Sequence, residues 1–181
     1  RLSRVVEDMF TLARADAGNY PVQSQLMYLD EVVDEVVRAV RVLASNMNVL
    51  IEVDTVSNAP FVGDEELIKR LIMNVLDNAV KYAAPGSVVQ VEVRQEADRY
   101  VITVSNTGAA IPQDAQAHIF ERFYRGDDAR SRTESTGGAG LGLAIARWVA
   151  RLHGGEVSLV QSTDQDTVFR SVLPFRETPE P

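Results

Sequence analysis

"MNVLDNAVKY", Met73 to Tyr82, closes a longer run, "GDEELIKRLIMNVLDNAVKY", whose apolar residues recur at helical spacing. Ile68, Leu71, Ile72, Val75 and Ala79 form one arc, with Asp64 placed to cap the helix and Glu65 and Glu66 suited to its positive end. The remaining arc is unusual for a core helix. Asn74, Asn78 and Lys81 stand four and then three residues apart, within roughly 60° of one another around the axis. Carboxamides near a core cost free energy unless something binds them. The stripe is therefore either a solvated face or the wall of a site, and alone it does not decide between them.

The sequence on either side supplies the elements that such a helix packs against. "VVQVEVR" alternates Val89, Val91 and Val93 with Gln90, Glu92 and Arg94, the pattern of a half-buried strand. "YVITV" follows a polar turn, so the two predict an antiparallel hairpin. A helix is expected over Leu29 to Ala44 and a strand around Val49 to Val53. Another helix, "GLAIARWVARLHGG", is closed by Gly154, and the strands "EVSLV" and "VFRSVLP" come last. This order predicts an α/β fold, a two-layer sandwich with a mixed sheet and helices on one face. Before it, "RLSRVVEDMFTLARADAGNYP" carries Leu2, Val6, Met9 and Ala13 as an a/d-like seam ending at Gly18 and Pro21. It reads as one helix of a helical hairpin whose other half lies outside the chain, because a solitary helix of this length is marginal in water. A terminal helix packed on its own domain is the alternative.

Composition narrows the function. The chain has 181 residues, 45% hydrophobic and 24% charged, which fits one ordinary domain with an appendage. Its formal charge of −8 opposes non-specific nucleic-acid binding. The absence of Cys excludes disulfides, thiolate metal sites and cysteine nucleophiles, and suits a cytosolic setting. No apolar run approaches the ~20 residues that span a bilayer, and no signal-peptide pattern opens the chain. Lys69 and Lys81 are the only lysines, and no Gly-Lys pair exists to form a Walker-type phosphate loop.

Three further segments can carry chemistry beside the stripe. In "SNTGAAIP", Asn106 ends a strand and Gly108 permits a tight backbone path, though an ordinary turn reads the same way. "IFERFYRGDDARSRTES" interleaves Phe120, Phe123 and Tyr124 with Arg122 and Arg125 before a polar stretch, as either an active-site lid or a plain surface loop would. In "TGGAGLGLAIA", Gly137, Gly138, Gly140 and Gly142 let backbone N–H groups approach an anion at a helix N-terminus. It is not the dinucleotide fingerprint, since Leu143 stands where G-x-G-x-x-G needs its last Gly.

In order and spacing, the four segments resemble the ATP-binding catalytic domain of sensor histidine kinases of two-component systems. That domain has the GHKL or Bergerat fold, shared with gyrase, a heat-shock chaperone ATPase and mismatch-repair ATPases. "NVLDNAVKY" looks like the family's N box, "NTGAAIP" its first glycine box, "FERFYR" its F box and "GGAGLGLAIA" its second glycine box. The resemblance covers roughly residues 24–176, and residues 1–18 are similar to the second helix of the preceding dimerisation and phosphotransfer domain. Residues 177–181 are left as a tail.

The resemblance implies ATP and Mg²⁺ as cofactors. Asn78, with Asn74 in or near the same shell, would ligate the metal; Lys81 would contact phosphates and Tyr82 would pack near the nucleotide. Asn106, Gly108, Ala110 and Ile111 would border the adenine, and Gly138, Ala139, Gly140, Leu141, Gly142 and Leu143 would follow the triphosphate. Arg125, with Arg122, would stabilise charge developing at the γ-phosphate. Asn74 takes the place of the Glu that activates water in the hydrolase branch, and a carboxamide is no base near neutral pH. Transfer to a protein histidine, and onward to a response regulator, is therefore expected over hydrolysis. The implied parent is a homodimer, anchored to a membrane only through segments outside this chain, with this portion cytoplasmic.

The chain departs from the family pattern in places. Asn106 stands for the usual Asp, weakening the bond to the adenine amino group, and Ala110 for a Gly. The acceptor motif itself is missing. His118 and His153 lack its flanking residues and read as structural, so this chain alone is not expected to autophosphorylate. Two other readings remain: a degenerate nucleotide-binding or interaction module, and an anti-sigma-type serine kinase, which the helix at residues 1–17 opposes.

Overall fold

The computed structural model describes residues 2–16, 18, 20–125 and 139–175. Its elements are α1 (Leu2–Asp16), β1 (Gln25–Tyr28), α2 (Leu29–Asn46), β2 (Leu50–Thr55), β3 (Pro60–Gly63), α3 (Glu65–Tyr82), β4 (Val88–Glu96) and β5 (Arg99–Asn106). A one-turn α4 (Gln113–Gln116), α5 (Gly142–Leu152), β6 (Glu156–Ser162) and β7 (Thr167–Pro174) complete it. Residues 126–138 of the expected lid, Gly137 and Gly138 among them, and the tail at 177–181 lie outside the described residues.

The main sheet runs β2-β4-β5-β7-β6, parallel only between β2 and β4. Alternation sets its faces. Val89, Val91 and Val93 of β4 are fully buried, and so are Ile102 and Val104 of β5 and Phe169 and Leu173 of β7. Glu92 and Arg94 point to the other, solvated face, where Arg94 pairs with Asp54 on β2. Helices α2, α3 and α5 cover the apolar face, so the expected two-layer α/β arrangement is the one observed.

Helix α3 sits between the other two, and its apolar arc explains why. Leu67, Ile68, Leu71, Ile72, Val75, Leu76, Ala79 and Val80 are all at most 2% exposed. Asp64 caps it as the sequence predicts, its carboxylate accepting from the Leu67 N–H at 3.2 Å and from the Gln23 N–H at 2.9 Å. Lys69 pairs with Glu65 on its own helix (2.8 Å) and ties α3 to α2 through Glu35 (3.0 Å), contacts that push its ammonium pKa above the ordinary lysine value.

The two-stranded sheet β1–β3, whose four-residue strands are separated by α2 and β2, has no counterpart among the elements the sequence predicts. It aims α3. Asp30, in the first turn of α2, accepts from the N–H groups of Asn58 and Ala59 at 3.0 Å each, while the Leu29 N–H donates to the Ala59 carbonyl at 2.8 Å. The turn before β3 is thereby fixed, and β3 leads directly into the Asp64 cap. From the far side, His153 at the end of α5 accepts the Asp64 N–H on Nε2 (3.1 Å) and donates from Nδ1 to the Val149 carbonyl (2.8 Å). It braces the start of α3 against the end of α5.

Helix α1 lies on α3 and α5 through one side only. Thr11 and Leu12 are buried; Arg70 donates to the Thr11 hydroxyl at 2.9 Å and pairs with Asp8. Tyr20 then meets Trp148 edge to face at 5.0 Å. Val6 and Met9 of the seam remain 60% and 49% exposed, with Phe10 beside them.

Candidate functional site

Asn74, Asn78 and Lys81 lie where the α3 apolar arc gives out. Asn74 is only 9% exposed, and its Nδ2 is buried with no hydrogen-bond partner among the described residues. A buried donor left unmade costs about 1–3 kcal/mol, so a conformation that keeps it unpaired needs a reason outside packing. Asn78 and Lys81 are half-buried and Tyr82 is exposed. The ammonium of Lys81 rests on the Asp77 carboxylate at 2.5 Å.

Three backbone approaches bring the other predicted segments to this stripe. Gly108 lies so close to α3 that a Cβ there would fall 2.1 Å from the Tyr82 carbonyl oxygen. Ala83 and Gly108 form a bridge, and the Ala84 N–H donates to the Thr107 carbonyl at 2.7 Å. Asn106, 4% exposed, is held in this turn at the end of β5. Beyond it, the Ile111 N–H donates to Ser162 Oγ (2.8 Å), which meets Thr167 Oγ1 (2.7 Å), and Gln116 donates to the Ile111 carbonyl (2.9 Å). Ala110 and Ile111, half-buried, are thus pinned to the β6–β7 hairpin.

The third approach is the start of α5. A Cβ on Gly142 would stand 3.2 Å from Asn74 Oδ1, so a larger residue would press on that amide. Leu141 is buried, while Ala139, Gly140 and Leu143 are half-buried. Gly140 has φ +72°, and its carbonyl accepts the Phe123 N–H at 2.9 Å; Phe123 itself has φ +62°. This contact joins the aromatic segment to the glycine-rich turn. Phe120 anchors the segment edge to face on Phe169 (6.3 Å), under the Arg147 guanidinium (5.2 Å). Arg122 and Arg125 flank Phe123, the first exposed and the second half-buried.

The stripe, the Asn106–Ile111 turn and the glycine-rich helix start therefore converge, and the aromatic segment joins them through Gly140. Gly138 lies outside the described residues. Of the two expected structural histidines, His118 is exposed and contacts Glu121 at 2.8 Å. Sequence reasoning missed the Asp77–Lys81 pair, although its i,i+4 spacing was visible. Volume does not locate the site. One groove of about 450 Å³ lies between β1 and α2, and another of about 350 Å³ beside Tyr20 and Arg70; neither offers an unpaired buried amide.

Metal chemistry is constrained too. Among the described residues no three His, Cys, Asp or Glu side chains gather to hold an ion. Carboxamide oxygens are hard donors that suit Mg²⁺, an ion that keeps waters and leans on phosphates. The donor set thus fits a magnesium ion that arrives with a nucleotide, rather than one caged by protein alone.

Comparison with known proteins bears on the same residues. Residues 63–177 match the family described as histidine kinase-, DNA gyrase B-, and HSP90-like ATPase. The chain is 38% identical to the sensor protein CzcS of Cupriavidus metallidurans over 97% of its own length and 36% of that protein's. It is 31% identical to the solved mycobacterial sensor histidine kinase MprB, with a TM-score of 0.70, covering 86% of this chain and 99% of that one. Full-length ShkA, solved in complex with AMPPNP, is 25% identical with a TM-score of 0.82, covering 98% of this chain and 36% of that one. The chain therefore spans about a third of the length of the curated relative CzcS.

Proposed function

The chain belongs to the histidine kinase-, DNA gyrase B-, and HSP90-like ATPase family, as an ATP-binding catalytic domain of the sensor histidine kinase type, and we propose that in its parent it transfers the γ-phosphoryl of Mg·ATP to a histidine. The observation that carries this reading is Asn74 on the buried edge of the stripe, its Nδ2 unpaired and its Oδ1 beside Gly142 at the start of α5. Asn74 and Asn78 would hold the metal, which when bound supplies charge neutralisation across the phosphates. Lys81 would contact phosphate, Asn106 the adenine edge, and Arg125 with Arg122 the γ-phosphate.

The described residues favour transfer over hydrolysis. Asn74 is no base, and Asp77, the nearest carboxylate on α3, lies about 60° round the helix from it. Without activated water, the acceptor is an imidazole nitrogen. Its bond to phosphorus forms as the bond to the β,γ-bridging oxygen breaks, and ADP leaves with that electron pair. Residues 1–18 would continue a dimerisation and phosphotransfer hairpin, and a response regulator would receive the phosphoryl group next. No helix among the described residues is long and apolar enough to cross a membrane, so any anchor of the parent would lie in other segments.

Calorimetric titration with a non-hydrolysable ATP analogue, with and without Mg²⁺ and against the GTP counterpart, tests the reading. We expect Mg-dependent binding that prefers adenine and that Asn78→Ala weakens by more than about tenfold. Binding indifferent to both Mg²⁺ and Asn78→Ala would instead identify an interaction module.

A further inference from the structure

Asp77 stands on the border of the site, outside the roles assigned so far. At about 100° per residue, Asp77, Lys81, Asn74 and Asn78 follow one another across a single arc of roughly 100°. Asp77 lies at one edge, next to Lys81. Its carboxylate and the Lys81 ammonium are 2.5 Å apart, with their side chains 19% and 27% exposed. Asp precedes Lys by four residues, the order that helix geometry and the helix dipole favour. The other lysine of the chain, Lys69, is committed to Glu35 and Glu65.

Resting on the nucleotide reading above, we infer that Asp77 is a positioning residue that holds Lys81 as a counter-ion and yields it to nucleotide phosphate on binding. A lysine ammonium is a compact charge on a flexible stem, able to exchange one anion for another by rotating its terminal torsions. The exchange is nearly balanced, because a part-exposed ion pair of this kind is weak. It has two consequences. The empty site does not present a bare ammonium, and each binding event works against the Asp77 contact and the Asp77 charge. Asp77 therefore lowers triphosphate affinity while leaving recognition of the base untouched. A phosphate-free ligand should not sense it.

The test is calorimetry on the whole chain with Mg²⁺ and a non-hydrolysable ATP analogue, and separately with adenosine. Asp77→Asn should tighten the analogue roughly two- to fivefold, the equilibrium counterpart of a part-exposed ion pair, and leave adenosine unchanged. Its analogue binding should also fall more steeply with added salt, because Lys81 then meets phosphate without an internal competitor. Asp77→Glu, which keeps the charge, should stay near the unaltered chain. Asp77→Ser gives the same answer as Asp77→Asn should the latter fold poorly by circular dichroism. Analogue affinity that is unchanged or weakened in Asp77→Asn, or that shifts together with adenosine, overturns the inference alone. Absence of analogue binding to the unaltered chain overturns the nucleotide reading and this inference with it.

Discussion

Two polar side chains in the helical layer invite comparison. Asp30, in the first turn of α2, gathers the N–H groups of Asn58 and Ala59 at 3.0 Å each. Asn74, midway along α3, is at least as hidden, yet its Nδ2 meets no acceptor among the described residues. Both belong to the same packed layer. The first completes a turn and helps aim β3, so its chemistry is spent within the fold. The second keeps an unmade donor beside the start of α5, and on the function proposed above a ligand would complete it. On that reading, a polar residue that folds the chain and one that serves a ligand differ in which partners the fold supplies, more than in burial.

The largest effect tests whether the two faces of α3 divide stability from binding as this contrast implies. Leu76 lies two residues from Asn74, on the opposite side of the helix, and is fully buried. Leu76→Ala should cost about 2–5 kcal/mol in urea unfolding, the range for a truncated core leucine. Affinity for the ATP analogue, measured well below the unfolding transition, should stay within a factor of about two. A parallel loss of affinity would mean that the apolar arc and the stripe are one unit.

A middle-sized effect of opposite sign belongs to Asn74. Leucine has nearly its shape and no orphan donor, so Asn74→Leu should stabilise the empty domain by about 1 kcal/mol. In a chain of this size that raises the thermal midpoint by roughly 2–4 °C. Mg-dependent analogue binding should fall at the same time. A variant that loses both stability and binding would show that Asn74 is a structural residue like Asp30, and the contrast would collapse.

Most of the fold could be read in advance because its signals are local. The alternation at Val89, Val91 and Val93, the Asp64 cap and the apolar arc of α3 each follow from a few neighbouring residues. The β1–β3 pair could not, since four-residue strands separated by α2 carry too little periodicity to register. The bracing role of His153 was hidden for a similar reason: its bond to Asp64 spans 89 positions and depends on how α3 and α5 come to lie. For the site, residue types and glycine spacing pointed to the stripe and the turns that meet it. Only geometry could add that Asn74 lacks a partner and that Asp77 holds Lys81. Chemistry is written in the side chains, whereas vacancy and competition arise from packing.

The smallest effect concerns Asp30, and its sign follows from titration. Burial by itself would raise this carboxyl, but the N–H groups of Ala59 and Asn58, aided by those of its own helical turn, outweigh it and hold the group below the ordinary carboxylate value. A carboxylate depressed in the folded state adds stability above its unfolded pKa, near 4, and loses that contribution as pH falls through the lower folded value. Asp30→Asn keeps one acceptor oxygen but no charge, so it should cost about 1 kcal/mol or less at neutral pH. The gap between the two proteins in urea melts should hold down to about pH 5 and close below pH 4. Acid titration of other carboxylates weakens both proteins alike and cancels in the difference. A gap that persists into acid would mean that shape, and not charge, fixes the turn before β3. Asp30 would then be no more spent within the fold than Asn74 is.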